Sequence, residues 1–309
     1  MDFRVVELNA SGDELVLFTR DGYDLLRRLL PRVPGSHEIL PHRSLLRCLR
    51  ERFVHLPAHL GFRIDAAHLV DERLHRVEHS TQHEDPPALD DPQYLADLAE
   101  VRDIGAAMSM TRTPEQTEVA RFWTTNMVIQ TNAAYRQVAD NRGLTLLDTA
   151  RLMAMGNMIA TDSLIATFDS KYTYSFWRPI TAIRHTNPDG SYSATELNTW
   201  MPAVMTPSFP EYVAGHGSFV SAQAELYTQF FGTSQIEVDL QSSVTGTTRH
   251  FATASDLRTE IVNARTWGGL HYRSSSELAV TMGQQLVTDA LIGHFTTAPD
   301  RSTHATNSG

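Results

Sequence analysis

Three separated segments of this 309-residue chain carry side chains able to hold an anion and act on it. The first is Lys171-Tyr172-Thr173-Tyr174-Ser175-Phe176-Trp177-Arg178-Pro179. Lys171 and Arg178 are seven residues apart, two helical turns, a spacing that puts both cations on one side of a helix. Pro179 biases Arg178 away from helical backbone and gives its guanidinium a route inward. In the second, Pro207 and Pro210 hold an extended approach to Gly215-His216-Gly217, where a helix begins. A glycine at a helix start lets backbone N–H groups approach a ligand, and the positive helix end favours negative charge. His216 beside it suits proton transfer near neutral pH. The third runs from Arg265 to His271 through Trp267-Gly268-Gly269. Arg265 offers a planar fork of donors for an oxyanion, and His271 a nitrogen for nucleophilic attack or metal ligation.

Taken singly, each segment has an ordinary reading: a pair of solvated charges, a capping histidine, an unrelated arginine and histidine. Taken together, they place three cations and two histidines among buried-type aromatics (Tyr172, Phe176, Trp177, Phe209, Trp267). Burying cations is costly without a counter-charge. Carboxylates are sparse in these segments, so the expected counter-charge is a bound anion.

The elements that must position these residues are helices. Thr113-Pro114-Glu115-Gln116 is a helix start, with a threonine cap and proline at the first position. The helix it opens is expected to carry Val119, Phe122, Trp123 and Met127 on one stripe. Apolar periodicity marks further helices over 144–168, 218–231 (closed by Gly232 as a C-cap), 257–267 and 276–295. Strand signals are nearly absent after residue 20. Before it, alternation over Arg4–Thr19 around Asn9-Ala10-Ser11-Gly12 predicts a hairpin, and Tyr23–Leu30 a helix. The expected fold class is all-α, a helical bundle. It divides into an N-terminal segment of uncertain structure (1–91), a helical oxyanion-binding domain (92–297) and a polar tail (298–309).

Composition bounds the function. A net charge of −10 argues against nucleic-acid binding, so an anionic ligand must be captured by local charge. The single cysteine, Cys48, excludes an intrachain disulfide and thiolate metal clusters. No secretory leader or membrane-spanning run is seen, and a cytoplasmic location is the expectation. The histidines between His37 and His83 show no metal-ligand spacing.

The three segments, in order, resemble the signature of the vanadium-dependent haloperoxidases and the phosphatidic acid phosphatase type 2 superfamily that contains them. The matching residues are Lys171…Arg178-Pro179, Ala214-Gly215-His216 and Ala264-Arg265…His271. Their contexts, Phe176–Arg184, Phe209-Pro210-Glu211-Tyr212 and Trp267–Arg273, with Arg112–Thr117 upstream, are similar to the bacterial branch. The resemblance covers roughly residues 92–295 and none of 1–85.

It implies the helical bundle of the haloperoxidase and acid phosphatase type. It also implies an enzyme that oxidises halide with hydrogen peroxide to halogenate a small organic substrate, in biosynthetic halogenation. Vanadate would be the cofactor, with phosphate able to occupy the same site. By the resemblance, His271 binds vanadium axially. Lys171, Arg178, Arg265 and the Gly215 N–H hold its oxygens, Lys171 also polarising peroxide, and His216 is the acid–base residue. Phe209 stands where the family places a residue close to the halide. Residues 1–85 are the candidate for a homodimer contact.

Two departures stand out. Ala214 replaces a serine whose hydroxyl donates to the anion, a bond worth roughly 1.5–3 kcal/mol. Ser275 stands four residues after His271, where an aspartate commonly orients that histidine; Glu277 is the nearby candidate substitute. The expectation is weaker vanadate binding than where both groups are present. Two other readings stay open: a phosphatase in which His271 attacks phosphorus and His216 protonates the leaving oxygen, and a homologue that binds the oxyanion with altered or no turnover.

Overall fold

Caps written in the sequence set the helix starts after residue 91. The described residues of the computed structural model are 3–7, 15–19, 85–187 and 190–293. The chain forms two units, Met1–Leu74 and His75–Gly309. In the first, β1 (Phe3–Glu7) and β2 (Leu15–Thr19) pair antiparallel, Phe3 opposite Thr19 and Glu7 opposite Leu15. The turn expected at Asn9–Gly12, the helix expected over 23–30 and the tail 298–309 lie outside the described residues.

The second unit opens with α1 (Pro92–Ile104), capped by the Asp91 carboxylate and begun by a proline. Helix α2 (Pro114–Phe122) starts on the expected capping box, in which the Thr113 hydroxyl accepts from Gln116 N and the Gln116 side chain accepts from Thr113 N. It is shorter than its apolar stripe suggests. Asn126 accepts from Val128 and Ile129 N–H and starts α3 (Met127–Asn141), so Met127 belongs to the next helix. The cap overrides a continuous periodicity.

Helix α4 (Leu146–Tyr174) runs a turn and a half beyond its expected end and takes in Lys171. It stops at Ser175, in left-handed backbone with φ of 47°. Then come α5 (Pro179–His185), α6 (Gly215–Phe231), α7 (Ala254–Trp267) and α8 (Arg273–Gly293). Gly232 closes α6 at φ of 66° as its composition predicts. The all-α expectation holds for the bundle, but the expected lack of strands does not. β3 (Gln235–Gln241) and β4 (Thr248–Thr253) form an antiparallel hairpin. Ile236, Val238 and Leu240 alternate inward into the core, a period-two signal short enough to be hidden among helices.

α6 is the axis of the bundle, packed by α4, α7 and α8. Small and apolar residues surround it on all sides, and Ser218 to Ala224 are buried without interruption. The polar side chains it does carry are partnered there, Ser221 by the Val280 carbonyl and Glu225 by Arg258. Its small residues also allow close approach: a Cβ on Gly283 of α8 would lie 2.3 Å from the Ser218 carbonyl oxygen and 2.8 Å from Ala222 N. Among the described residues no helix is long and apolar enough to cross a membrane.

Because the atoms facing Gly283 are backbone, Gly283→Ala must separate α8 from α6. We expect a loss of about 1–3 kcal/mol, read as a lowered thermal midpoint, roughly 2–4 °C for each kcal/mol. An unchanged midpoint would show that the two helices do not meet this closely.

Candidate active site

Lys171 lies in the last turn of α4, where the helix end favours a cation. It is almost fully buried, and its Nζ donates to the carbonyls of Pro210 (3.0 Å), Glu211 (2.7 Å) and Val213 (2.6 Å). Arg178 does not continue that helix, so the two cations are not two turns apart on one face. The chain turns at Ser175, and Arg178 caps α5 in extended backbone, φ −75° and ψ 153°, as a residue before proline should. Its Nε donates to Phe209 O and its Nη1 to Leu270 O, each at 2.9 Å. One guanidinium thereby joins the loop before α6 to the loop before α8.

His271 sits between α7 and α8, in a turn that requires Gly269 at φ of 76°, where a Cβ would lie 2.5 Å from Gly105 O. Arg112 holds the incoming side, its Nη1 donating to Ile104, Ala106 and Trp267 carbonyls. On the outgoing side, the buried Asp97 of α1 accepts from Ser274 N at 2.8 Å, and Glu100 pairs with Arg273. Nε2 of His271 is 2.9 Å from Arg178 Nη1, and Nδ1 is 2.7 Å from Glu211 Oε1.

Glu211 was not among the residues expected to act. It is completely buried, and its Oε1 also accepts from Tyr272 N at 3.2 Å. This corrects two expectations. The segments do contain a buried carboxylate, and His271 does have an acidic partner, supplied from 60 residues away rather than from position 275. Glu277 is exposed, while Ser275 adjoins Glu211 instead. The available signal was that, between Gly190 and Ala224, only Glu196 and Glu211 are acidic.

Lys171, Arg178, His216, Arg265 and His271 lie within electrostatic reach of one another, with Gly215 adjoining His216 in the chain. Arg265, buried in α7, has one guanidinium N–H on Trp123 O at 3.4 Å. His216, half-buried at the start of α6, feels Arg265, Lys171 and Arg178, and His271 feels all of these and His216. Gly215 faces α4: a Cβ there would be 3.2 Å from Thr167 Cγ2. The Phe209 ring lies 5.3 Å from Lys171 Nζ and 5.1 Å from Arg178 Cζ.

The electrostatics are those of excess positive charge. Burial, then Arg178 and Arg265, hold the Lys171 ammonium well below its usual range. Burial lowers Arg178 to about 10 and, with Arg178 adding to it, Arg265 to about 9. Burial and the surrounding cations keep both histidines neutral. Burial pushes Glu211 up to about 7 against the pull of Lys171 and Arg178. Even when ionised, one carboxylate faces three cations.

The donor set fits a tetrahedral oxyanion such as vanadate. Arg178 Nη2, Arg265 Nε and Thr167 Oγ1 are buried without a hydrogen-bond partner among the described residues. α6 starts at Ala214 with no side-chain cap, leaving its first amides available. Orphaned buried donors of this kind call for an acceptor.

Residues 151–297 match the family model described as the VCPO second helical-bundle domain. The chain is 25% identical over 148 residues to the vanadium chloroperoxidase of Curvularia inaequalis, covering 41% of this chain and 24% of that protein. It is similar to the crystal structure of a bacterial vanadium-dependent iodoperoxidase, with a TM-score of 0.57 and 25% identity over 69% of this chain and 53% of that one. The apo form of a bacterial vanadium-dependent chloroperoxidase shares the fold, with a TM-score of 0.54 and 18% identity over 67% of this chain and 50% of the other. These matches make the helical region similar to the vanadium haloperoxidases. The chain spans about a quarter of the fungal protein's length and about half of the bacterial chains.

Sulfate does not titrate near neutrality, so it isolates the protons of the protein. An anion among these cations raises the lowered His216 pKa and further raises that of Glu211. Sulfate binding near pH 6 should therefore take up protons and weaken as pH rises through the neutral range. Calorimetry in buffers of different ionisation enthalpy reads this directly; zero or negative uptake would contradict the charge balance described.

Proposed function

We propose that this chain is a vanadate-dependent haloperoxidase, oxidising halide with hydrogen peroxide to halogenate a small organic substrate. The observation that carries the reading is the state of His271. Arginine can only donate, so Arg178 Nη1 against Nε2 requires a lone pair on that nitrogen. A neutral imidazole whose unprotonated nitrogen can exchange its Arg178 bond, beside the unpartnered Arg178 Nη2 and Arg265 Nε, suits a ligand to an oxyanion's central atom. The family match and the peroxidase names of the relatives support the same reading.

In this reading Lys171, Arg178, Arg265 and the Gly215 amide would hold the vanadate oxygens, and His271 would ligate vanadium through Nε2. Bound there, vanadate supplies a Lewis acid that polarises peroxide without changing its own oxidation state. Lys171 adds positive charge where electron density must be withdrawn. To reach an anion, its Nζ exchanges one of its three carbonyl partners. His216, neutral at rest, would accept a proton from peroxide at its ring nitrogen and give it back as the acid–base residue. Phe209, beside both cations, lines the halide approach. The same neutral, carboxylate-backed His271 also suits nucleophilic attack on phosphorus, so phosphatase chemistry is the second reading.

The test supplies orthovanadate, peroxide and, in turn, chloride, bromide and iodide, with an activated β-diketone as acceptor. We expect vanadate-dependent halogenation, abolished in His271→Ala. Phosphate release from an aryl phosphate, inhibited by vanadate and without halogenation, would establish the second reading. Neither activity would leave an oxyanion-binding homologue.

Ala214→Ser gives a separate expectation. Its extended backbone, φ −69° and ψ 105°, is that of an N-cap. A serine there should stabilise the anion-free protein by about 0.5–2 kcal/mol as a cap and tighten vanadate binding at least about tenfold as a donor. Unfolding curves and titration measure the two effects independently.

A further inference from the structure

We infer that Glu211 is the positioning residue that sets which nitrogen of His271 is unprotonated, and so makes that nitrogen a ligand rather than a donor. The inference deepens, and rests on, the reading of His271 as the residue that meets the oxyanion's central atom. Three observations carry it.

The first is that both faces of the imidazole are committed and agree on one tautomer. Glu211 Oε1, 2.7 Å from Nδ1, is an acceptor when ionised and draws the ring proton to that side. Arg178 Nη1, a pure donor 2.9 Å from Nε2, requires the lone pair on the other. The second is that the same carboxylate oxygen receives Tyr272 N–H at 3.2 Å. Ring and main chain are held by one atom, which fixes the ring's direction as well as its proton. The third is the economy of the segment. The Glu211 carbonyl receives Lys171 Nζ at 2.7 Å while its side chain receives His271. One buried residue therefore registers a cation of α4 against a histidine 60 residues downstream. Ser275 adjoins this carboxylate but carries no charge, and Glu277 is exposed. Among the described residues, Glu211 is the carboxylate recorded against His271.

A bland role is available: Glu211 as a mere counter-charge for Lys171 and Arg178. The two roles make opposite predictions for anions. Removing a negative charge from a pocket with three cations strengthens binding of any anion held by charge alone. Losing the group that presents Nε2 weakens an anion that also bonds to that nitrogen; such outer partners commonly matter by about 10–100-fold in affinity.

The experiment compares sulfate and orthovanadate binding to the full chain and to Glu211→Gln by calorimetry. Sulfate should bind Glu211→Gln as tightly as the parent or tighter, while orthovanadate binds at least about tenfold more weakly. Both anions tightening together would overturn the positioning role. A second measurement needs no variant: ¹⁵N spectra of the histidine-labelled parent above pH 7. Protonated Nδ1 with unprotonated Nε2 at His271 supports the inference, and the opposite tautomer overturns it even if Glu211→Gln does not fold. Equal affinity of the parent for sulfate and vanadate would remove the vanadium-ligand reading itself. In that case the tautomer still decides the role of Glu211.

Discussion

The arrangement depends on the free energy of burying three cations around one neutral histidine. An ammonium or guanidinium removed from water needs partners for its charge and for each N–H. Here the protein meets most of that need from its own backbone. Lys171 takes three carbonyls from the 210–213 segment, and Arg178 takes those of Phe209 and Leu270. Carbonyl dipoles solvate a cation without neutralising it. Glu211 supplies a single opposing charge, and burial itself keeps that carboxyl near the edge of ionisation. What is left is positive excess and unpartnered guanidinium N–H, which is the chemical description of an oxyanion site.

The rest of the fold holds that arrangement together. The loop 207–214 is the hub, because its carbonyls hold Lys171 and Arg178, its one carboxylate holds His271, and its end launches α6. α6 is clamped by neighbours that approach to backbone contact, so its N-terminus cannot drift from the cations. α1 and Arg112 secure the two sides of the His271 turn through Asp97, Glu100 and the Trp267 carbonyl. These contacts come from outside the three segments that carry the chemistry. They explain why a site of six residues needs a bundle of this size.

Much of this was legible from residues alone where the cause is local. Thr113-Pro114…Gln116, Pro179 after Arg178 and Gly232 after Phe231 act within a turn of themselves, and each behaves as its chemistry dictates. Local signals also misled. The apolar stripe from Val119 to Met127 crosses two helices, because the Asn126 cap outweighs periodicity. The seven-residue spacing of Lys171 and Arg178 suggested one helical face, whereas Ser175 ends the helix between them and a turn brings the cations together.

The sequence by itself determined which side chains can do chemistry, that helices position them, where a few of those helices are capped, and which family the three segments resemble. Those properties reside in residue types and their near neighbours. Tertiary structure decided the partners: that Glu211, not Ser275 or Glu277, meets His271, and that carbonyls rather than side chains hold Lys171. Hydrogen bonding is directional and short-ranged, and the chain separations involved, 60 residues for His271 and about 40 for Lys171, leave no trace in spacing. Only packing of the helices around α6 brings those atoms within 3 Å.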